Sequence, residues 1–207
     1  MTPVALDPRK SPRQRRSLAT VETIIEAAAR ILETAGPDGF NTNAVARRAG
    51  VSVGSLYQYF PSKQAIVAEL SRRNALVALE GLAQVAARTR GLPMLERLRA
   101  FVAFAIAQQS ARPRLSRVLD QLEPGLALDT DAAATAPAIL ALLTPVLAEG
   151  AASDVEGLER IAGDCLALSR TLIDRALEGD IGDSLAVVED RIVGALAGYL
   201  AAAGVAV

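Results

Sequence analysis

The chain has 207 residues, enough for one sizeable core or for a small domain beside a larger one. It is 51% hydrophobic but only 3% aromatic. The apolar weight falls on Ala, Leu, Val and Ile, which pack well between helices, so an all-α fold is expected. With no histidine and a single cysteine, Cys165, an intramolecular disulfide is excluded, and the usual zinc sites and histidine-based catalysis recede together, so neither metal nor cofactor is expected.

The net charge of −1 hides an asymmetry. Up to Lys63, nine Lys or Arg stand against five Asp or Glu, for +4, and the remainder carries −5, so nucleic acid should meet the N-terminal end. No uninterrupted apolar run approaches the roughly 20 residues of a membrane span, and no apolar segment follows the N-terminal charges. A cytoplasmic chain without membrane contact is expected.

Residues 1–16 combine three prolines with Arg9, Lys10, Arg13, Arg15 and Arg16 and show no apolar periodicity, so they are expected to form a disordered basic arm. Helical spacing starts with Ile24, Ala28, Ile31 and Leu32, and Gly36-Pro37-Asp38-Gly39 supplies a stop and a turn. Asn41 is placed to cap a short second helix holding Val45, Ala46 and Ala49, which Gly50 ends; Ser52 caps a third, Ser52 to Phe60. Pro61 stops that helix, and Ser62 caps a long fourth reaching about Thr89. Five further helices are expected at about Met94 to Gln109, Pro113 to Leu122, Ala132 to Ala148, Asp154 to Leu177 and Ser184 to Ala202. The breaks between them include Glu123-Pro124-Gly125 and Glu178-Gly179-Asp180, and Ser153 with Glu156 makes a capping-box pattern.

Tyr57, Tyr59 and Phe60 crowd into four positions of the third helix. At about 100° per residue, Leu56 and Phe60 share one face while Ser55, Gln58 and Tyr59 project more outward. A helix this short, entered through a tight glycine link, suits the major groove, and small residues at Val53, Gly54 and Ser55 let its start approach base edges. The stretch from Thr42 to Lys63, TNAVARRAGVSVGSLYQYFPSK, strongly resembles the DNA-binding domain of the TetR (tetracycline repressor-like) family, and the resemblance extends over about Ser17 to Leu70. It implies an N-terminal three-helix domain with a helix-turn-helix (17–63) and a larger helical domain for effector binding and dimerisation (64–207). It also implies phosphate contacts from Thr42, Tyr57, Tyr59 and Lys63, and base reading by Asn43, Val53, Gly54, Ser55 and Gln58. Asn41 stands where the family often has threonine and keeps the capping ability. Two readings of Tyr57 remain, a DNA contact or a core residue with an exposed hydroxyl, and Arg13, Arg15 and Arg16 are either a solvated tail or a further DNA contact.

The last two helices carry stripes at three- and four-residue spacing: Val155, Leu158, Ala162, Cys165, Leu168 and Leu172, then Leu185, Val188, Ile192, Ala195, Leu196 and Tyr199. The resemblance implies that this pair meets its copy in a four-helix bundle, with Gly163, Ala167, Gly194 and Gly198 allowing close approach; an intramolecular core is the other reading. A homodimer also follows from the reading problem, because one short helix contacts too few base pairs to discriminate within a genome. The resemblance places an effector pocket for a small apolar or amphipathic molecule among the middle helices, with Met94, Leu98, Phe101, Phe104, Leu119, Leu122 and Leu143 as lining and Ser169 and Arg170 as polar groups; these residues equally suit an ordinary core. Cys165 reads as a small buried hydrophobe rather than a redox sensor.

The function expected from these features is a homodimeric repressor released from a palindromic double-stranded DNA operator by a small molecule. An architectural DNA-binding protein without an effector is the alternative. A helical enzyme is disfavoured by the absence of histidine, of a phosphate-binding glycine loop and of an activated nucleophile.

Overall fold

The computed structural model describes residues 15–122, 135–151, 157–178 and 184–207. Within them run nine α-helices: α1 (Arg15–Gly39), α2 (Thr42–Ala49), α3 (Val53–Tyr59), α4 (Lys63–Arg88), α5 (Met94–Ala111), α6 (Pro113–Leu122), α7 (Thr135–Ala148), α8 (Leu158–Glu178) and α9 (Leu185–Ala202). The extended pairing among the described residues is one antiparallel bridge, Ala151 with Val205. The turns expected at 123–125 and 179–180 and the capping box of Ser153 and Glu156 lie outside the described residues. No described helix is long and apolar enough to cross a membrane.

α1 begins at Arg15, so Arg15 and Arg16 are helical rather than part of an arm; residues 1–14 lie outside the described residues. The backbone leaves the helix at Gly36 (φ 64°, ψ −170°), where the sequence places its stop, and glycine takes this left-handed conformation without a Cβ penalty. A single turn over Pro37 then delivers Phe40 into the core, with the Phe40 amide donating to the Pro37 carbonyl at 3.2 Å.

The next three junctions are set by side-chain caps. The Asn41 side chain accepts from the Ala44 amide at 2.9 Å, Ser52 Oγ accepts from Ser55 at 3.0 Å, and Ser62 Oγ accepts from Ala65 at 3.1 Å. Each satisfies an amide that the helix start would otherwise leave open. Gly50, at φ 67°, closes α2 by donating to the carbonyls of Ala46 and Arg47. Phe60 is extended (φ −121°, ψ 116°), as the residue before Pro61 must be.

The chain divides into two compact units, with the break inside α4 after Ala75. The first takes the N-terminal helices and also α6 from Arg114 onward. Its core gathers Ile24, Ala28 and Leu32 of α1, Val45 of α2, Leu56 and Phe60 of and after α3, Ile66 of α4, and Leu115 and Leu119 of α6.

The second unit holds the rest of α4 with α5, α7, α8 and α9. One of its clusters joins Leu98, Val102 and Ile106 of α5 to Ile161, Cys165 and Ile173 of α8 and to Val188, Ile192 and Leu196 of α9. The other joins Leu82 and Val85 of α4 to Phe101 of α5 and Val146 of α7. Gly81 lets α4 and α5 pack closely, since a methyl group there would overlap the Phe104 ring.

Charge reinforces the first unit. The buried Glu69 carboxylate (7% exposed) receives Arg72 through Nε and Nη2, both at 2.8 Å, and Arg73 Nε at 2.7 Å. Arg73 Nη1 then reaches Glu22 on α1 at 2.6 Å, so one arginine ties α4 to α1. Burial pushes the Glu69 pKa up, but the hydrogen bonds and charges of both arginines outweigh it and hold it below the ordinary 4.5.

A carboxylate with a lowered folded pKa contributes stability above its unfolded value, lost as pH falls through the folded one. In urea unfolding, Glu69→Gln should cost about 1–3 kcal/mol at pH 7, less than a fully buried pair because both arginines stay part-exposed. The gap to wild type should narrow below about pH 4.5; parallel pH profiles would remove the ion pair from the account. Ser52→Ala, which deletes the α3 cap, should cost about 1 kcal/mol, and an unchanged urea midpoint would show the cap to be dispensable.

Candidate nucleic-acid interface

α3 is anchored from beneath. Leu56 and Phe60 are fully buried and Tyr59 is half-buried against the same core. Their opposite side is open: Val53 is 38% and Tyr57 41% exposed, and Gly54 and Gln58 are exposed beside them. Positions 53 and 57, and 54 and 58, lie one turn apart, so the exposed surface is a two-ridge face along the whole helix.

Tyr57 is therefore no core residue. Its hydroxyl lies 3.2 Å from Thr42 Oγ1, joining the start of α2 to α3 across the helix-turn-helix. In such a pair one hydroxyl donates and the other keeps its proton for a further acceptor, such as a phosphate oxygen. Asn43 is exposed beside Thr42, and Lys63 is exposed at the first position of α4.

Ser55 is half-buried, and its hydroxyl shares a 2.8 Å hydrogen bond with the capping Ser52 hydroxyl. It belongs as much to the cap as to the open face. Tyr59, placed by the sequence pattern among the outward residues, packs chiefly inward. Arg13 lies outside the described residues, as do the side chains of Arg15 and Arg16.

Two exposed cations escaped the sequence reading: Arg47 and Arg48, in the last turn of α2. The signal was present, since buried Val45 and Ala46 fix the inner face of an eight-residue helix and leave both arginines in solvent. Chemically, this surface offers an amide suited to an adenine edge at Gln58, an apolar contact for a thymine methyl at Val53, and hydroxyl and ammonium donors for phosphates.

The residues assigned to an effector pocket fall in more than one cluster. Leu119 and Leu122 belong to the core of the first unit. In the second unit, Leu98 is in the cluster with α8 and α9, Phe101 and Phe104 are in the cluster with α4 and α7, and Met94 and Leu143 pack against both. Ser169 Oγ donates to the Cys165 carbonyl one turn back at 2.8 Å, and Arg170 is exposed. Cys165 is buried, and desolvation, helped by Asp164, pushes its thiol up to about 11, so it carries little thiolate at neutral pH.

On α8 and α9 the expected stripes turn inward. Leu158, Ala162, Cys165 and Leu172, with Val188, Ile192, Leu196 and Tyr199, line the unit's own core; Val155 lies outside the described residues. The Tyr199 hydroxyl donates to Asp164, tying the two helices together. Ala167, Gly194, Ala195 and Gly198 are exposed, with Leu168, Leu185 and Val187 beside them in the chain. A Cβ added at Gly194 or Gly198 would meet nothing within 4 Å.

Residues 24–70 match the family model described as bacterial regulatory proteins, tetR family. A sequence comparison with curated proteins finds no match. Among solved structures, the chain is similar to a TetR-family transcriptional regulator from Streptomyces coelicolor, at 22% identity and TM-score 0.64, covering 89% of this chain and 99% of that one. It is likewise similar to a transcriptional regulator from Rhodococcus sp. Rha1, at 23% identity and TM-score 0.73, covering 90% and 99%. A third is the transcriptional regulator FadR from Bacillus subtilis in complex with stearoyl-CoA, at 18% identity and TM-score 0.70, covering 84% and 96%. Residues 24–70 thus match the tetR family of bacterial regulatory proteins, and the chain has the fold of the solved TetR-family transcriptional regulators.

Proposed function

We propose that the chain acts in the cytoplasm as a homodimeric repressor, reading a palindromic operator through α3 and leaving it when a small molecule binds the second unit. The observation that carries the reading is the face of α3. A seven-residue helix, capped by Ser52 and anchored by Leu56 and Phe60, presents Val53, Gly54, Tyr57 and Gln58 to solvent. Gln58 and Val53 read base edges, with Asn43, Gly54 and Ser55 at the groove. Thr42, Tyr57, Tyr59 and Lys63 hold phosphates, and Arg47 and Arg48 add positive potential.

Dimerisation through the outer face of α8 and α9 is supported by its exposed small residues. Gly194 and Gly198 leave room for a second pair of helices to approach, and exposed Leu168 and Val187 supply apolar area. Two copies then place their α3 helices about 34–36 Å apart, one turn of DNA. An effector that favours a different spacing lowers DNA affinity, and DNA lowers effector affinity by the same factor. That a regulator of this fold has been solved with stearoyl-CoA supports a ligand-binding second unit.

Operator fragments selected from random DNA test the reading directly. Lys63→Ala should weaken binding to every sequence alike and shallow the salt dependence by about one unit of slope. Gln58→Ala should cost about 1–3 kcal/mol on the selected site and relax the preference at one base pair. Equal losses on selected and random DNA for both variants would refute the division of labour.

Gly198→Arg places a bulky charge where the protein's own fold has space. It should yield a folded monomer in sedimentation, with palindrome binding reduced to the level of a half-site. A dimer that persists would move the interface elsewhere.

A further inference from the structure

The second unit buries a cation in an unusual way. Arg97, in the first turn of α5, has a side chain only 4% exposed, yet the carboxylate that Nη1 meets, Glu149 just beyond α7, is 57% exposed. Arg97 Nε has no hydrogen-bond partner. Thr89, also buried in this unit, satisfies its hydroxyl on the Val85 carbonyl; an arginine has no such local solution, because its fork carries five donors.

Sequence spacing shows what this charge adjoins. Arg97 shares a face of α5 with Met94, Phe101 and Phe104, and Glu149 directly follows the last residue of α7, three positions after Val146. Those residues form the apolar cluster that α5 and α7 build with α4, and Met94, Phe104 and Leu142 are only part-buried in it. An apolar layer therefore ends at a charge pair whose cation is inside and whose anion is at the surface.

We propose that Arg97 is the head-group site for an acidic amphiphile, whose carboxylate or phosphate takes the place of Glu149 while its apolar body enters the layer lined by Met94, Phe101, Phe104 and Val146. A solvent-exposed carboxylate compensates a buried guanidinium poorly, since water and salt screen it and ordering it costs side-chain entropy. An anion carried in by an apolar body engages Nε and Nη together, the fork geometry that arginine offers to planar or tetrahedral oxyanions. Glu149 is released to water, where it is already half placed. This rests on the ligand-responsive reading above and names the chemistry of its ligand.

The test uses the full chain, titrated calorimetrically below micelle-forming concentrations with dodecanoate, dodecyl phosphate, dodecanol and dodecyltrimethylammonium, each also scored for release of operator DNA. Dodecanoate or dodecyl phosphate should bind at least about tenfold more tightly than dodecanol, as expected for a charge-assisted hydrogen bond, and the cation least. The stronger of the two anions tells a carboxylate ligand from a phosphate one.

R97M should abolish the preference for the anions while moving dodecanol affinity less than about twofold. E149Q, which removes the competing anion and leaves Arg97 in place, should tighten the anions several-fold without changing dodecanol, and it decides the matter even if R97M fails to fold. Equal affinity for anions and dodecanol in wild type, or an E149Q protein with unchanged anion affinity, overturns the assignment of Arg97. If neutral amphiphiles then release operator DNA, the ligand-responsive reading survives that failure. If DNA binding is intact and no compound of a broad library releases it, that reading falls as well.

Discussion

Everything at the reading surface depends on two side chains beneath it. A helix of seven residues has too few internal hydrogen bonds to repay its own nucleation, so α3 exists because Leu56 and Phe60 are sunk in a core with Ile24, Leu32 and Ile66. Burial of each contributes about 1.5–3 kcal/mol. The anchor also fixes rotation: with positions 56 and 60 facing down, helical geometry leaves 53, 54, 57 and 58 facing out. Ser52 at one end and Pro61 after the other then fix where the helix begins and stops. A polar residue at 56 or 60 would remove the whole surface while touching none of its exposed atoms.

The same unit uses charge to join elements that are distant in the sequence. Glu69 alone would be an expensive buried anion, and Arg72 and Arg73 make it tolerable. Arg73 makes a second contact, to Glu22 on α1. A neutral residue could fill the space of Glu69 without linking the helices, so the network specifies how α4 is seated on α1 more than it adds to stability. α4 itself runs on past Ala75 as one helix, so the two arginines lie in its N-terminal half.

The helix-turn-helix was legible almost residue by residue because its signals are local. A cap acts over three residues and a glycine over one, and Asn41, Gly50, Ser52 and Ser62 occupy the cap positions the pattern gives them. What periodicity does not encode is the identity of the partner a face meets. The stripes on α8 and α9 are readable as apolar, yet their partner is the unit's own core. Leu119 and Leu122 are a similar case: α6 packs in the core of the N-terminal helices although it comes well after them in the chain. Arg47 and Arg48 lie in the last turn of α2, outside the aromatic pattern that marks α3.

The contrast among the clusters of the structure bears on which part of it can respond to a ligand. The core around Leu56 consists mostly of buried side chains, and interiors of that kind do not admit a new occupant without losing their packing. The layer of α4, α5 and α7 is different, with Phe104, Ile139, Leu142 and Leu143 only part-buried around a few buried residues. It also ends at a guanidinium that is not fully satisfied. An occupant there would gain apolar contact and complete that charge.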